Sequence, residues 1–319
     1  TVGAGMQPTE RINLFAYVNQ FDMRLASQNL FETAMDNKST QGAVGLAYRW
    51  GPTEQTWIKL GRSVDHTVLR DYPTLYVLPP FVSLMGVSSE PRKQFNDLQL
   101  RHTLDTAPGS RFSVALEHVR ERQNNLVGGA AAVAAEIPGF GTYRDVFVVG
   151  GYNHVDRRYT ALTLATTQRL GAALQVDAAL GLQQIRHRVD GLTQSYLVNL
   201  EEYSEEALRR ADMERVATPR VGVVWQPAAG TTVRVAYQDW LRPLSVSTLT
   251  SVETAGIPVE DRLVEAGGRH RRAVAQLALE LGPSTFVNLR ADHLRVRNPG
   301  TVGVDLRTPS LPFLEEMRN

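Results

Sequence analysis

Five short turn signals divide this 319-residue chain: Gly51-Pro52-Thr53, Ala107-Pro108-Gly109, Gln168-Arg169-Leu170-Gly171, Pro227-Ala228-Ala229-Gly230 and Gly282-Pro283-Ser284. No motif recurs literally, but the turn does, about every 55–62 residues, and Gly and Pro supply its tight geometry each time. The flanks of these turns read as strands over 11–25, 42–50, 55–68, 96–104, 111–122, 157–168, 172–187, 220–226, 231–240, 271–281 and 285–297. Many are longer than the usual five or six residues of globular sheets and reach the roughly 9–11 that a tilted strand needs to cross a bilayer.

Period-2 alternation assigns faces. Leu174, Val176, Ala178, Leu180 and Leu182 share one side of their strand, against Gln175, Asp177 and Gln183. Val287, Leu289 and Ala291 oppose Asn288, Arg290 and Asp292, and Val233, Val235 and Tyr237 oppose Thr232, Arg234 and Gln238. Leu98, Leu100 and Leu104 oppose Gln99 and Arg101, and Leu277 and Leu279 oppose Gln276 and Glu280. Segment 11–25 is apolar on both faces in places and resists phasing.

Between the hairpins lie long connections at 69–95, 123–156, 188–219 and 241–270, alternating strictly with the short turns. An antiparallel sheet then carries tight turns at one end and long loops at the other, the asymmetry of an outer-membrane barrel. Long unstructured loops are rare in compact soluble domains. Aromatic residues cluster near the short turns: Tyr48, Trp50, Trp57, Trp225 and Phe286 are the expected interface girdle.

Composition excludes other classes. Lys+Arg (34) nearly balance Asp+Glu (33), so no global field favours nucleic acid. Without cysteine there is no disulfide frame, thiol nucleophile or Cys-based zinc site. No apolar run is long enough for a transmembrane helix, and the mean hydropathy of −0.22 is what an apolar wall averaged with a polar lumen would give.

Several stretches carry their own expectations. Tyr143–Tyr152 reads as a β-piece within a connection, or an extension above the membrane. Residues 200–215 have helix formers at helical spacing and predict a short loop helix. The apolar, Pro-rich 72–91 is a loop that either constricts the lumen or packs at its mouth. Gly128-Gly129-Ala130 through Gly141 reads as a flexible loop. Arg269-His270-Arg271-Arg272 is either a lipopolysaccharide-phosphate contact or a solvated charge run. The seven histidines show no ligand spacing, and no GxSxG is present, so neither a metal site nor a catalytic site is called for.

Three stretches carry a family likeness. Pro219-Arg220-Val221-Gly222-Val223-Val224-Trp225-Gln226-Pro227, followed by Gly230–Tyr237 and Arg242-Pro243, resembles barrel hairpins of TonB-dependent receptors. Ala47–Thr53 with Thr56–Gly61, and Asp97–Thr103, look similar to barrel domains that follow tetratricopeptide repeats in Gram-negative surface and export proteins. The resemblance covers about a third of the chain and is one of hairpin pattern, not of functional signature. It implies an outer-membrane location and a role in export or uptake.

The expectation is thus an all-β, transmembrane, antiparallel up-and-down β-barrel of about 12 or more strands, a single domain over 1–319 and a fragment of a longer chain. Its lumen is expected to be lined by Lys59, Gln99, Arg101, Glu117, Gln175, Asp177, Arg234, Gln238, Gln276, Glu280, Asn288, Arg290 and Asp292. The mixed charge argues against a strongly ion-selective pore. The chain reads as a non-enzymatic conduit for a hydrophilic polymer or solute, without cofactor. An uptake-receptor barrel and a closed surface scaffold stay open. Expected partners are outer-membrane lipid and lipopolysaccharide, with periplasmic or surface proteins.

Overall fold

The computed structural model describes residues 1–28, 32–78, 81–137, 141–199, 201–244, 248–249, 253–259, 264, 267–282, 284–301 and 312–318. In chain order the strands are β1 (Val2–Thr9), β2 (Ile12–Gln28), β3 (Glu32–Arg49), β4 (Glu54–Leu78), β5 (Phe81–Ala107), β6 (Ser110–Ile137), β7 (Gly141–Arg169) and β8 (Leu174–Leu197). They continue with β9 (Glu202–Ala228), β10 (Thr231–Leu241), β11 (Glu253–Thr254), β12 (Ile257–Pro258), β13 (Arg269–Gly282), β14 (Thr285–Thr301) and β15 (Pro312–Arg318). Thirteen of them form one sheet in chain order, from β1 to β15, with β11 and β12 pairing separately. The architecture is all-β, antiparallel and up-and-down. All eleven strands read from the sequence are present, joined by β1, by β15 and by the small β11–β12 pair.

The short turns fall where Gly and Pro place them. Gly109, Gly171 and Gly230 hold φ of +77°, +80° and +74°, a left-handed conformation that costs glycine little and other residues more. Their positions set the register of the hairpins they close.

The long connections differ from the loops expected of them. Three are strand for nearly their whole length. β6 and β7 pair without a break from Arg111↔Thr167 to Ile137↔Gly141, and β8 and β9 from Leu174↔Trp225 to Leu197↔Glu202. At about 3.4 Å per residue, the 28 residues of β6 run roughly 95 Å, far beyond what a bilayer core requires. Tyr143–Tyr152 is therefore a continuation of β7, and Gly128–Ala130 lies in β6. Segment 72–91 belongs to β4 and β5 apart from 79–80, and the side chains of 71–85 lie outside the described residues. The expected helix at 200–215 is strand β9 from Glu202 onward, and Leu200 lies outside the described residues. Helix propensities separate ordinary residues by only tenths of a kcal/mol each, and an unbroken ladder with β8 outweighs them.

The fourth connection behaves differently. β10 stops at Leu241, and Arg242-Pro243 ends the ladder because proline has no N–H to donate. The described parts of this 242–268 segment (242–244, 248–249, 253–259, 264 and 267–268) lie on the inner side of the sheet, with the β11–β12 hairpin over Ala255 (φ +55°) and Gly256 (φ +70°), and the sheet resumes at Arg269. A primed turn of this kind matches the twist of a two-residue hairpin.

The sheet curls around this segment. Leu241 and Leu244 pack with Val119 of β6 and with Tyr159 and Ala161 of β7. Leu244 lies beyond the end of β10, so this cluster brings the start of the segment against β6 and β7. Ala255 and Ile257 pack with Ala236 of β10 and Val274 of β13. The outer face instead presents large apolar side chains: Val44, Leu60, Leu98, Leu116, Leu162, Leu180, Val221 and Leu289 are all exposed. An apolar exterior around a partly polar interior inverts the usual arrangement of a globular sheet.

Candidate functional site

The inner face is identified by what touches the 242–268 segment. Register places Lys59 of β4, Gln99 of β5, Glu117 of β6, Ala161 of β7 and Gln183 of β8 on one cross-strand row, and all five are buried. Uncompensated burial of such polar groups costs several kcal/mol each, so their partners matter.

The segment supplies many of them. Gln99 Oε1 accepts from the Leu249 N–H at 2.7 Å, and the Arg101 guanidinium donates to the Leu249 carbonyl at 2.9 Å. Thr248 Oγ1 donates to Glu117 Oε2 at 3.1 Å. On the far wall, Asp177 Oδ2 accepts from the Ala255 N–H at 2.6 Å, and Gln238 Nε2 donates to the Ile257 carbonyl at 2.8 Å. Arg272 Nη1 reaches the Pro258 carbonyl at 3.2 Å, while Arg242 donates to the Val264 carbonyl. Strands β5, β8, β10 and β13 thus hold backbone groups of the segment, and β6 holds its Thr248 side chain. Gly222 of β9 gives it room, because a Cβ there would sit 2.8 Å from both Ala255 Cβ and Thr254 Cγ2.

Other side chains reinforce the wall. Lys59 Nζ lies 3.4 Å from Asp97, to which Gln99 also donates. Arg157 of β7 donates to the fully enclosed Glu121 of β6 at 2.6 Å. Toward the short turns, a cavity of about 370 Å³ is lined by Arg49, Trp57, Arg101, Arg111, Asp105 and Leu249. Here Arg111 grips Asp105 through two contacts of 2.6 and 3.2 Å. That hydrogen-bonded pairing holds the Asp105 carboxyl below its ordinary range and raises Arg111 above its own.

Of the thirteen residues expected to line a lumen, Lys59, Gln99, Arg101, Glu117, Asp177 and Gln238 sit on the inner face around the segment or its anchors, and Arg234 lies near Gly256. Gln175 donates to Asp177 near the short turns. Gln276, Glu280, Asn288, Arg290 and Asp292 share the same face on β13 and β14 by register, and there Arg290 and Arg272 both meet Asp292. The sequence carried no sign that 242–268 would fold inward, because polar inner residues look alike whether they meet water or backbone.

The aromatic set divides. Tyr48 and Trp50 stack edge-to-face at 4.6 Å, and Trp225 is exposed on the outer face. Trp57 shares a face with Lys59, and Phe286 shares one with Asn288, although Phe286 is highly exposed. The basic run Arg269–Arg272 divides by pleat. Arg269 and Arg271 meet Asp239 on the outer side, whereas His270 and Arg272 are buried inward. Among the described residues no cluster of three metal-ligating side chains occurs.

This arrangement, a curled up-and-down sheet with an apolar exterior and a segment of its own chain inside, is that of a transmembrane barrel wall. No protein-family profile matches the chain, and no curated protein matches it. Among solved structures it resembles the ferric yersiniabactin uptake receptor FyuA from Yersinia pestis, with a TM-score of 0.56 at 8% identity over 90% of this chain. Lower similarities are to BauA, the ferric preacinetobactin receptor from Acinetobacter baumannii (TM-score 0.49, 11% identity, 98% of this chain). Another is to the translocator domain of the autotransporter NalP from Neisseria meningitidis (TM-score 0.32, 11% identity, 90% of this chain and 83% of that one). The chain spans 43% of the Yersinia receptor's length and 49% of the Acinetobacter one. The first likeness supports the barrel fold.

Proposed function

We propose that the chain forms the wall of an outer-membrane conduit for a hydrophilic solute or polymer, whose bore is occupied by its own 242–268 segment. One observation carries this reading: polar side chains of five inner-face strands hold the segment by hydrogen bonds, four of them to its backbone and one, Glu117 of β6, to the Thr248 hydroxyl. Such contacts exchange for water at little net cost, roughly 0.5–1.5 kcal/mol each, so the segment can leave without unmaking the wall. The apolar exterior is the complementary half of the argument, since only lipid gives it a favourable surrounding. A chain that passed only polymers of one charge would need a ring of one sign, and the inner face carries both.

Single-channel conductance in a planar bilayer tests this. The protein should show small or rare openings, and the combined Gln99→Ala, Asp177→Ala, Gln238→Ala variant should open larger and more often. A wall that stays silent after the segment is deleted refutes the conduit and leaves a closed scaffold. The second reading is the barrel of an uptake receptor. It takes support from the long paired hairpins, which place much strand beyond the apolar band. A separate plug domain elsewhere in the same polypeptide would favour it, and tetratricopeptide repeats would favour export.

A further inference from the structure

On the outer face, register aligns arginines that are scattered in the sequence. One cross-strand row runs Arg62 (β4), Asn96 (β5), Arg120 (β6), Arg158 (β7) and Arg186 (β8). Three of these, Arg120, Arg158 and Arg186, are directly opposed on neighbouring strands. Like charges in that relation destabilise a sheet, so the row needs counter-charge. One carboxylate, Asp156, is shared by three guanidiniums: Arg120 at 2.5 Å, Arg158 at 3.3 Å and Arg122 at 4.0 Å. Arg122 and Arg158 remain about half exposed, so their outer edges face the surroundings.

The row's height is informative. It lies one pleat repeat above Leu98 and two above Leu182 on the same face. From Phe112, beside the short turn, to Arg120 the strand rises eight residues. At about 3.4 Å per residue and roughly 40° tilt that is about 21 Å, and the corresponding step from Leu174 to Arg186 gives about 31 Å. These bracket the apolar band of roughly 25 Å in such barrels. The arginines therefore sit at the boundary on the long-hairpin side.

Around the β4–β6 part of this row lies an apolar groove of about 1100 Å³, lined by Val18, Val44, Leu60 and Leu98, with Arg62 and Arg120 among its lining residues. Its floor is low because Ala16 and Gly42 carry little side chain there. We infer that this outer-face row and groove form a binding site for a phosphorylated, multi-acylated lipid of the outer leaflet, with phosphates on the arginines and an acyl chain in the groove. The row runs across the strands and spans four inter-strand steps, about 19 Å, of which about 15 Å lies along the membrane plane at roughly 40° tilt. That width suits a headgroup carrying more than one phosphate. Arginine forks suit phosphate oxygens through paired hydrogen bonds. An acidic protein would complement the charge and leave the groove unfilled; a lipid satisfies both. The inference rests on the membrane reading of the outer face.

The test uses the full chain in phosphatidylcholine nanodiscs, titrated with diphosphorylated lipid A, chemically dephosphorylated lipid A and inorganic phosphate. The intact lipid should bind, and the Arg120→Gln, Arg158→Gln, Arg186→Gln variant should bind about tenfold or more weakly. With the unaltered protein, dephosphorylation should weaken binding similarly, and millimolar phosphate should not compete; this arm needs no variant to fold. Equal binding of both lipids, or full competition by free phosphate, overturns the site while leaving the barrel intact. A chain that does not enter the nanodisc at all overturns the membrane reading itself.

Discussion

Replacing Leu180 by arginine separates a lipid-facing wall from a water-facing sheet. Leu180 lies on the outer face of β8, opposite Leu164 of β7, and is 41% exposed. It is six residues from Leu174, near the short turn, and six from Arg186. At about 3.4 Å per residue and roughly 40° tilt, each end is about 16 Å away, which puts Leu180 at the midplane. If water bathes this face, an exposed Leu→Arg change should stay within about 0.5 kcal/mol. If hydrocarbon bathes it, Leu180→Arg should cost about 2–4 kcal/mol, and Leu174→Arg and Gln184→Arg only about 0–1. Gln175→Arg, on the inner face beside Asp177, should be nearly neutral. Reversible denaturant unfolding in phospholipid vesicles, followed by tryptophan fluorescence, reads these differences as shifts in midpoint at constant slope. A flat profile along β8, or a Gln175→Arg cost equal to that of Leu180→Arg, refutes the assignment of the two faces.

Further changes probe the interior. Gly222→Val places methyl groups where Ala255 and Thr254 already lie; it should displace the 242–268 segment, raising conductance and exposing the segment to protease while the sheet persists. Asp97→Ala removes the carboxylate beside enclosed Lys59 and should destabilise by about 3–5 kcal/mol, as for other broken buried pairs, measured by denaturant midpoint. At the short-turn end, Asp105 titrates below its ordinary range because Arg111 bonds its carboxylate. The stability this pair contributes is present above the unfolded carboxylate value and is lost as pH falls through the depressed one. Arg111→Met should therefore raise the Asp105 titration midpoint, seen by carboxyl carbon NMR, and an unmoved midpoint would contradict the pairing.

The short turns were legible because their chemistry is local: Gly109, Gly171 and Gly230 occupy backbone conformations that favour glycine. The alternating faces of β8, β10 and β14 were legible because period-2 patterning survives wherever one side meets apolar surroundings and the other does not. What failed was the upper half of the three long hairpins, β4–β5, β6–β7 and β8–β9. There, neither face meets hydrocarbon, so the pattern fades, and Glu201–Arg215 carries residues that favour a helix in isolation. Pairing with β8 decides the matter, and pairing is a property of two segments together.

The same distinction explains the two features the sequence hid. The inner segment depends on Gln99, Asp177 and Gln238 converging from three strands onto Leu249, Ala255 and Ile257. The arginine row depends on residues 62, 120, 158 and 186 falling level across strands β4 to β8. In each case the relevant spacing is set by register, and in an antiparallel sheet register follows from where each turn closes. A one-residue slip at the turn after Ala107 would send Arg120 inward and Glu121 outward into the lipid boundary. The short turns therefore fix the strand faces, the anchoring of the segment and the level of the charged row together. A residue inserted beside Gly109 should accordingly disturb conductance and lipid binding at once, although it touches neither site.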